Sequence, residues 1–235
     1  MPTALVTGST KGIGKAFISA LAEDGYDVII HYYQSAAEAE ALAEELRLKV
    51  RVTCFQADLR DARAAQTLIE KSFAQFNGLD VLINNVGNYA HSRLETFPLE
   101  LWHEMFASNL HSCFYTCQTA IPLMKAQGGG RIINIGYAGA EQLIARPGIA
   151  AYSIAKTGVI LYSKALAKSY AANNITVNVI SPGVIESSVA LPVTPIPMQR
   201  LGYLSEMVGA MRYLLSPAAA YVTGITLEVA GGWNI

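Results

Sequence analysis

A chain of 235 residues is long enough to bury a sizeable core and fits one α/β domain spanning 1–235. Hydrophobic residues make up 52% and charged ones only 15%, an apolar balance that implies surface covered by other subunits, so a homo-oligomer, dimer or tetramer, is expected. Seventeen basic and eighteen acidic residues give a net charge of -1 with neither sign gathered into a block, which argues against nucleic acid or a membrane surface as partner and leaves small-molecule substrates.

The N-terminus runs straight into a strand-like segment with no signal-type stretch, and no later apolar run reaches about 18 residues, so a cytoplasmic location is expected. Strand-like runs at 4–7, 28–32, 52–55, 81–83, 131–135, 176–180 and 226–229 alternate with helical patterns. These runs are continuously apolar, as in strands buried on both faces. The pattern predicts an α/β fold of the doubly wound Rossmann type, a parallel sheet with helices on both faces. Asn77 and Gly78 mark one helix end, Pro98 a helix start, and Gly128, Gly129 and Gly130 another end. Pro192, Pro195 and Pro197 forbid a regular helix late in the chain, which suits a loop on the substrate side. Cys54, Cys113 and Cys117 are odd in number and lie in apolar settings, as reduced core thiols do. No metal is expected: Cys113 and Cys117 would need further ligands, and the four histidines, read as structural or incidental, show no metal-binding spacing.

After the first strand come Gly8, Ser9, Thr10, Lys11, Gly12, Ile13 and Gly14, followed by a helical pattern. Glycines here allow a tight turn, close backbone approach to a pyrophosphate and exposure of helix N-terminal N–H groups to anionic oxygens; the plain alternative is a turn that only joins strand to helix. The second strand ends in His31, Tyr32, Tyr33, Gln34 and Ser35, with no carboxylate to grip a ribose 2'-hydroxyl or repel a 2'-phosphate. NADPH is therefore the expected cofactor, with Lys11 as the positive partner and Ser35 and the tyrosine hydroxyls as neutral ones, although Lys11 also reads as a solvated loop lysine.

Tyr152 and Lys156 lie four residues apart, so on a helix they share a face. A phenol is a poor acid–base group at neutral pH until its phenolate is stabilised, and an adjacent ammonium does that. A tyrosine and a lysine at this spacing also arise by chance.

The glycine spacing Gly8, Gly12, Gly14 resembles the TGxxxGxG motif of the short-chain dehydrogenase/reductase family. Further motifs of that family follow in order: Asp58-Leu59, then Asn84, Asn85, Val86 and Gly87, then Asn109, Tyr152 with Lys156, and Ser181, Pro182 and Gly183. Among its members the chain most resembles the ketoacyl-carrier-protein reductases. The resemblance implies Asp58 at the adenine, where a helix cap is the alternative, and Asn85 and Gly87 on the floor of the site. Leu59, Pro182, Gly183 and Ile185 complete the cofactor contacts it implies. It makes Tyr152 the proton donor to the substrate oxygen, with Lys156 lowering its pKa and holding the nicotinamide ribose. Asn109 would hold a water linking Lys156 to solvent, or else simply satisfy backbone groups in a helix kink. Residues 184–200 would form a substrate lid with an apolar wall of Val184, Ile185, Val189, Leu191, Val193 and Ile196.

The family's serine after the fifth strand is missing, for that stretch reads Gly136, Tyr137, Ala138, Gly139, Ala140. Tyr137 either replaces the serine as hydrogen-bond donor or lines the pocket while Glu141 or Gln142 polarises the substrate; a weakened reductase is the third possibility. The expected reaction is hydride transfer to a carbonyl of a small to medium, largely apolar substrate such as a 3-oxoacyl thioester or a ketone. The alternatives are pteridine-reductase-like reduction of a planar heterocycle, or nicotinamide binding without turnover.

Overall fold

The computed structural model describes residues 1–188 and 194–233. Seven strands, β1 (Thr3–Val6), β2 (Asp27–Tyr32), β3 (Val52–Gln56), β4 (Val81–Asn84), β5 (Gly130–Ile135), β6 (Ile175–Pro182) and β7 (Thr226–Val229), pair in parallel in the order β3-β2-β1-β4-β5-β6-β7. The helices are α1 (Gly12–Glu23), α2 (Ala36–Leu46), α3 (Ala62–Phe76), α4 (Leu99–Phe106), α5 (Ser112–Gln127), α6 (Ala150–Tyr170) and α7 (Leu204–Leu215). This is the doubly wound sheet that the apolar runs predict, each expected strand lying within the observed one or overrunning it by a residue.

Consecutive strand residues explain why the runs are mostly apolar rather than alternating. Val6, Ile30, Ile83 and Ile133 pack on one face with Phe17, Ile18 and Leu21 of α1 and Met207 and Met211 of α7. Leu5, Ile29, Leu82 and Ile132, one position earlier, pack on the other face with Leu68, Ile69, Ile121, Met124 and Val159 of α3, α5 and α6. With period-two side chains, a strand buried on both faces is apolar at most positions, and the polar exceptions Asn84 and Asn134 hydrogen-bond each other, Asn84 Nδ2 donating to Asn134 Oδ1 at 2.9 Å. Each fully buried Leu or Ile contributes about 1.5–3 kcal/mol.

The helix ends follow from local chemistry. Asp61 Oδ1 accepts from Ala64 N at 2.7 Å to open α3, and Asn77, at φ 57°, closes it in the left-handed conformation that asparagine tolerates. Asn109 does not sit in a regular helix: a π turn, Ala107–His111, joins α4 to α5. β1 is flanked by β2 and β4, so the direction of winding reverses there and a crevice opens beyond the strands' carboxyl ends.

Residues 136–149 and the segment after β6 overhang this crevice. Ile185 bridges to Gly202, and Trp233 Nε1 donates to Thr194 Oγ1 at 2.9 Å, tying the chain end to that segment. Of the apolar wall, Val184, Ile185 and Ile196 are buried. Val189, Leu191 and Val193 lie outside the described residues. Among those described, no helix is long and apolar enough to cross a membrane.

Candidate active site

Gly8, at φ 63°, turns the chain out of β1 in a conformation open to glycine. Its N–H donates to His31 Nδ1 at 2.9 Å, which leaves the ring proton on Nε2 to donate to Ala57 O at 3.1 Å. His31, read from sequence as incidental, thus fastens the glycine loop to the segment after β3; burial pushes its pKa down to about 4. Asn85 Nδ2 donates to the carbonyls of Thr7 and Gly8 at 3.0 and 3.1 Å, clamping the loop from the β4 side. A Cβ on Gly14 would lie 2.3 Å from Gly8 O, so only glycine lets α1 start this close to the loop.

A cavity of about 1370 Å³ opens over these elements. That exceeds the roughly 300–1,000 Å³ of a site for one small ligand and suits a dinucleotide with a second molecule beside it. Gly8, Thr10, Lys11, Gly12, Ile13, Tyr32, Ser35, Asp58, Leu59, Asn85, Gly87, Pro182, Gly183 and Ile185 all line it, together with Tyr137, Tyr152 and Lys156. Two expected site residues do not. Gly14 stands behind the loop, packed against Gly8 O, and Asn109 lies behind Gly87. The glycine cradle and the continuous lining from Gly12 to Pro182 fit a nicotinamide dinucleotide.

Around Asp58 the charges are paired. Arg60 donates from Nε and Nη2 at 2.9 and 2.6 Å, holding the Asp58 carboxyl below its usual range, and from Nη1 to Glu104 at 3.0 Å. The same guanidinium lies 5.3 Å from the Tyr33 ring, bringing to the end of β2 a cation that the local sequence lacks. Lys11 is exposed on the glycine loop and lines the cavity.

Tyr152 and Lys156 share a face of α6, with Lys156 Nζ 5.9 Å from the Tyr152 ring centre. Lys156 Nζ also donates to Ile135 O at 2.7 Å, so the end of β5 sets its position. Burial pushes Lys156 down to about 8 and Tyr152 well above the ordinary phenol value. At neutral pH the pair is a protonated phenol beside an ammonium, the state a proton donor requires. The Tyr89 and Tyr137 rings meet Tyr152 edge-on at 5.2 and 5.5 Å. Asn109 Nδ2 donates to Asn88 O and Met105 O at 2.9 and 3.0 Å, while its buried Oδ1 has no partner among the described residues. A Cβ on Gly87 would lie 2.3 Å from that oxygen and 3.2 Å from Lys156 Nζ, so both approach one spot.

Tyr137, the candidate for the missing serine's place, follows Gly136 directly after β5. Its loop is held by Ala138 N donating to Pro182 O and Gly139 N to Glu228 Oε1, both at 3.1 Å. The ring is buried and its hydroxyl has no partner among the described residues. Glu141, weighed as a substitute polariser, pairs with Lys164 at the surface, and neither it nor Gln142 lines the cavity. Cys113 and Cys117 are buried thiols, Cys117 Sγ accepting from Asn84 Nδ2 at 3.2 Å. Sequence reasoning missed Tyr89, Arg146 and Trp233 on the cavity wall.

Residues 8–234 match the family described as enoyl-(acyl carrier protein) reductase. The 3-oxoacyl-[acyl-carrier-protein] reductase FabG of Staphylococcus aureus is 37% identical over 240 residues, covering 98% of this chain and 97% of that one. The 3-oxoacyl-[acyl-carrier-protein] reductase of Synechocystis is 38% identical over 237 residues, covering 97% and 95%. Among solved structures, a blue fluorescent protein from a metagenomic library in complex with NADPH superposes with a TM-score of 0.92 at 31% identity, covering 100% of this chain and 98% of that one. A short-chain dehydrogenase/reductase double mutant of Serratia marcescens does so at 0.92 and 32%, with the same coverage.

Proposed function

The chain belongs to the short-chain dehydrogenase/reductase family and is a nicotinamide-dependent oxidoreductase; from that premise we propose that it uses NADPH to reduce a substrate carbonyl, with Tyr152 as proton donor. The observation carrying this reading is Lys156 Nζ, fixed on Ile135 O beneath the Tyr152 ring at the wall of the cavity that the glycine loop also lines.

Bound NADPH would supply the hydride to the carbonyl carbon. Tyr152 then gives its hydroxyl proton to the carbonyl oxygen, and the Lys156 ammonium stabilises the tyrosinate left behind. Lys156 also holds the nicotinamide ribose. Asn109 Oδ1, without a hydrogen-bond partner among the described residues and facing the same spot as Lys156 Nζ, holds the water through which the proton is replaced. Of the lid expected at 184–200, the described residues Val184, Ile185, Ser187, Ser188 and Thr194 line the cavity, which supports a substrate-side role for this part of the single domain. The names of the relatives and the buried Val184 and Ile196 favour a small to medium, largely apolar carbonyl, a 3-oxoacyl thioester or a ketone. The test is NADPH oxidation with a panel of ketones, diketones, oxoacyl thioesters, quinones and pterins; no turnover with any of them overturns the reading.

Tyr137 donates the hydrogen bond that the family's serine makes, its hydroxyl being buried without a partner among the described residues. Tyr137→Phe should cost about 2–4 kcal/mol of transition-state stabilisation, partly restored in Tyr137→Ser. Full catalytic efficiency in Tyr137→Phe would leave the ring as a wall only.

The absence of an acid at 31–35, with Lys11 and Arg60 on the cavity, favours NADPH over NADH by at least about tenfold in kcat/KM, or about 1.4 kcal/mol. Equal efficiencies with the two cofactors would refute this. A cytoplasmic setting agrees with the three free cysteines. Assembly into a dimer or tetramer is favoured by exposed Ile154 and Leu161, seven apart on α6, beside exposed Phe114 of α5. Light scattering at micromolar concentration should give a multiple of 25.2 kDa, and a monomer mass would overturn it.

A further inference from the structure

Resting on the carbonyl-reductase reading and on the place of Asn109 in it, we propose that Glu104 is a positioning residue for the reaction, which sets through Asn88 where the Asn109 amide points. Glu104 lies on α4 and lines the cavity, and both of its carboxylate oxygens are engaged. Oε1 accepts from Asn88 Nδ2 at 2.6 Å and Oε2 from Arg60 Nη1 at 3.0 Å. Arg60 is itself held on Asp58 after β3, whereas Asn88 follows β4, and β2 and β1 lie between those two strands in the sheet. One side chain therefore joins two loops that the sheet keeps apart.

Asn88 is gripped at three points by one short stretch of chain. Its side chain binds Glu104, its N–H donates to Ser108 Oγ at 3.4 Å, and its carbonyl accepts from Asn109 Nδ2 at 2.9 Å. Ser108 Oγ in turn donates to Glu104 O at 2.7 Å, which makes it part of the same frame. Asn109 Nδ2 also donates to Met105 O at 3.0 Å, so both of its hydrogens are directed. A side-chain amide is planar, so fixing its nitrogen fixes its oxygen. That oxygen is the buried Oδ1 whose spot beside Gly87 is shared with Lys156 Nζ.

Residues 85–93 form neither strand nor helix, so the place of Asn88 depends on these bonds rather than on a sheet ladder. The charge of Glu104 is met by Arg60, which leaves the carboxylate ionised and its other oxygen free to accept from Asn88. An ion pair this open to water adds little to folding, with side chains 39% and 26% exposed. The effect of Glu104 is therefore expected in rate, where a displacement of about 1 Å in a proton-handling group costs up to about 10²-fold.

Two measurements test this, one without turnover. With the best substrate of the carbonyl panel, Glu104→Ala should lower kcat by about 10- to 100-fold and leave the substrate KM within about threefold. Glu104→Gln, whose amide oxygen still accepts from Asn88, should regain most of the rate. Asn88→Ala should show the same loss as Glu104→Ala, and the double variant no more than either single one. In hydrogen exchange without substrate, residues 86–92 should exchange at least about fivefold faster in Glu104→Ala than in the native protein, with β1 and α6 unchanged. A full kcat in Glu104→Ala, no recovery in Glu104→Gln, multiplying losses in the double variant, or faster exchange throughout the chain would overturn the proposal. Faster exchange confined to 86–92 with no carbonyl reduced by the native protein would sink the reductase reading and leave Glu104 as the fastener of Asn88. Turnover by the native protein that Glu104→Ala keeps in full would do the reverse.

Discussion

Tyr152→Phe should lower kcat for carbonyl reduction by about 10³-fold, within the range of about 10²–10⁴ for loss of a positioned general acid, and leave the NADPH dissociation constant within about threefold. The ring would keep its edge-on contacts with Tyr89 and Tyr137, so the wall of the cavity stays filled and only the hydroxyl is removed. Burial holds Tyr152 protonated across the physiological range, which makes it a reservoir with one proton to give; phenylalanine has none. Steady-state kinetics paired with a fluorescence titration of NADPH separates the two effects. Retention of most of the turnover would place the acid elsewhere.

The second large effect concerns Lys156. Because burial brings its pKa down to about 8, the ammonium is present below that pH and is lost as pH rises through it. The tyrosinate formed in the reaction then loses its counter-charge, so kcat/KM for reduction should fall with increasing pH along a limb centred near 8. Lys156→Ala should abolish that limb, lower kcat/KM by about 10²–10⁴-fold and weaken NADPH binding, since one ammonium serves both tasks. An alkaline limb that persists in Lys156→Ala belongs to another group. An unchanged NADPH dissociation constant in that variant removes the ribose role.

The strands and the Tyr152–Lys156 pair were legible because each is written in local periodicity: apolar runs for the sheet, a four-residue spacing for one face of α6. The glycine loop was legible for the same reason. What escaped depends on register between distant segments. His31 faces Gly8 because β1 and β2 pair in parallel with Val6 opposite Ile30, a relation that no window along the chain contains. Gly14 reads like its two companions in sequence, and its close packing, a Cβ there lying 2.3 Å from Gly8 O, shows only in three dimensions. Arg146 sits in a stretch without periodicity, and its meeting with Trp233 spans most of the remaining chain. Asn109, read as holding a water or satisfying backbone groups in a helix kink, lies in a π turn and donates to Asn88 O and Met105 O, although the form of that kink is set by hydrogen bonding that residue types do not specify.

The two rings of hydrogen bonding around His31 have a consequence for altering the protein. His31 grips Gly8, Ser9 and Ala57 through both its ring and its backbone, so the hinge that shapes the pocket lies inside the sheet. Tyr33, Gln34 and Ser35, which line the same cavity, come two to four residues later on a turn that bears none of those bonds to the glycine loop. Anchor and proposed selector are thus adjacent in sequence, and the turn is tied to the end of β3, with Gln56 Nε2 donating to Tyr33 O at 2.8 Å, rather than to the glycine loop. Cofactor choice can drift, or be redesigned, by exchanging side chains at 33–35 while the scaffold that captures any dinucleotide is inherited unchanged.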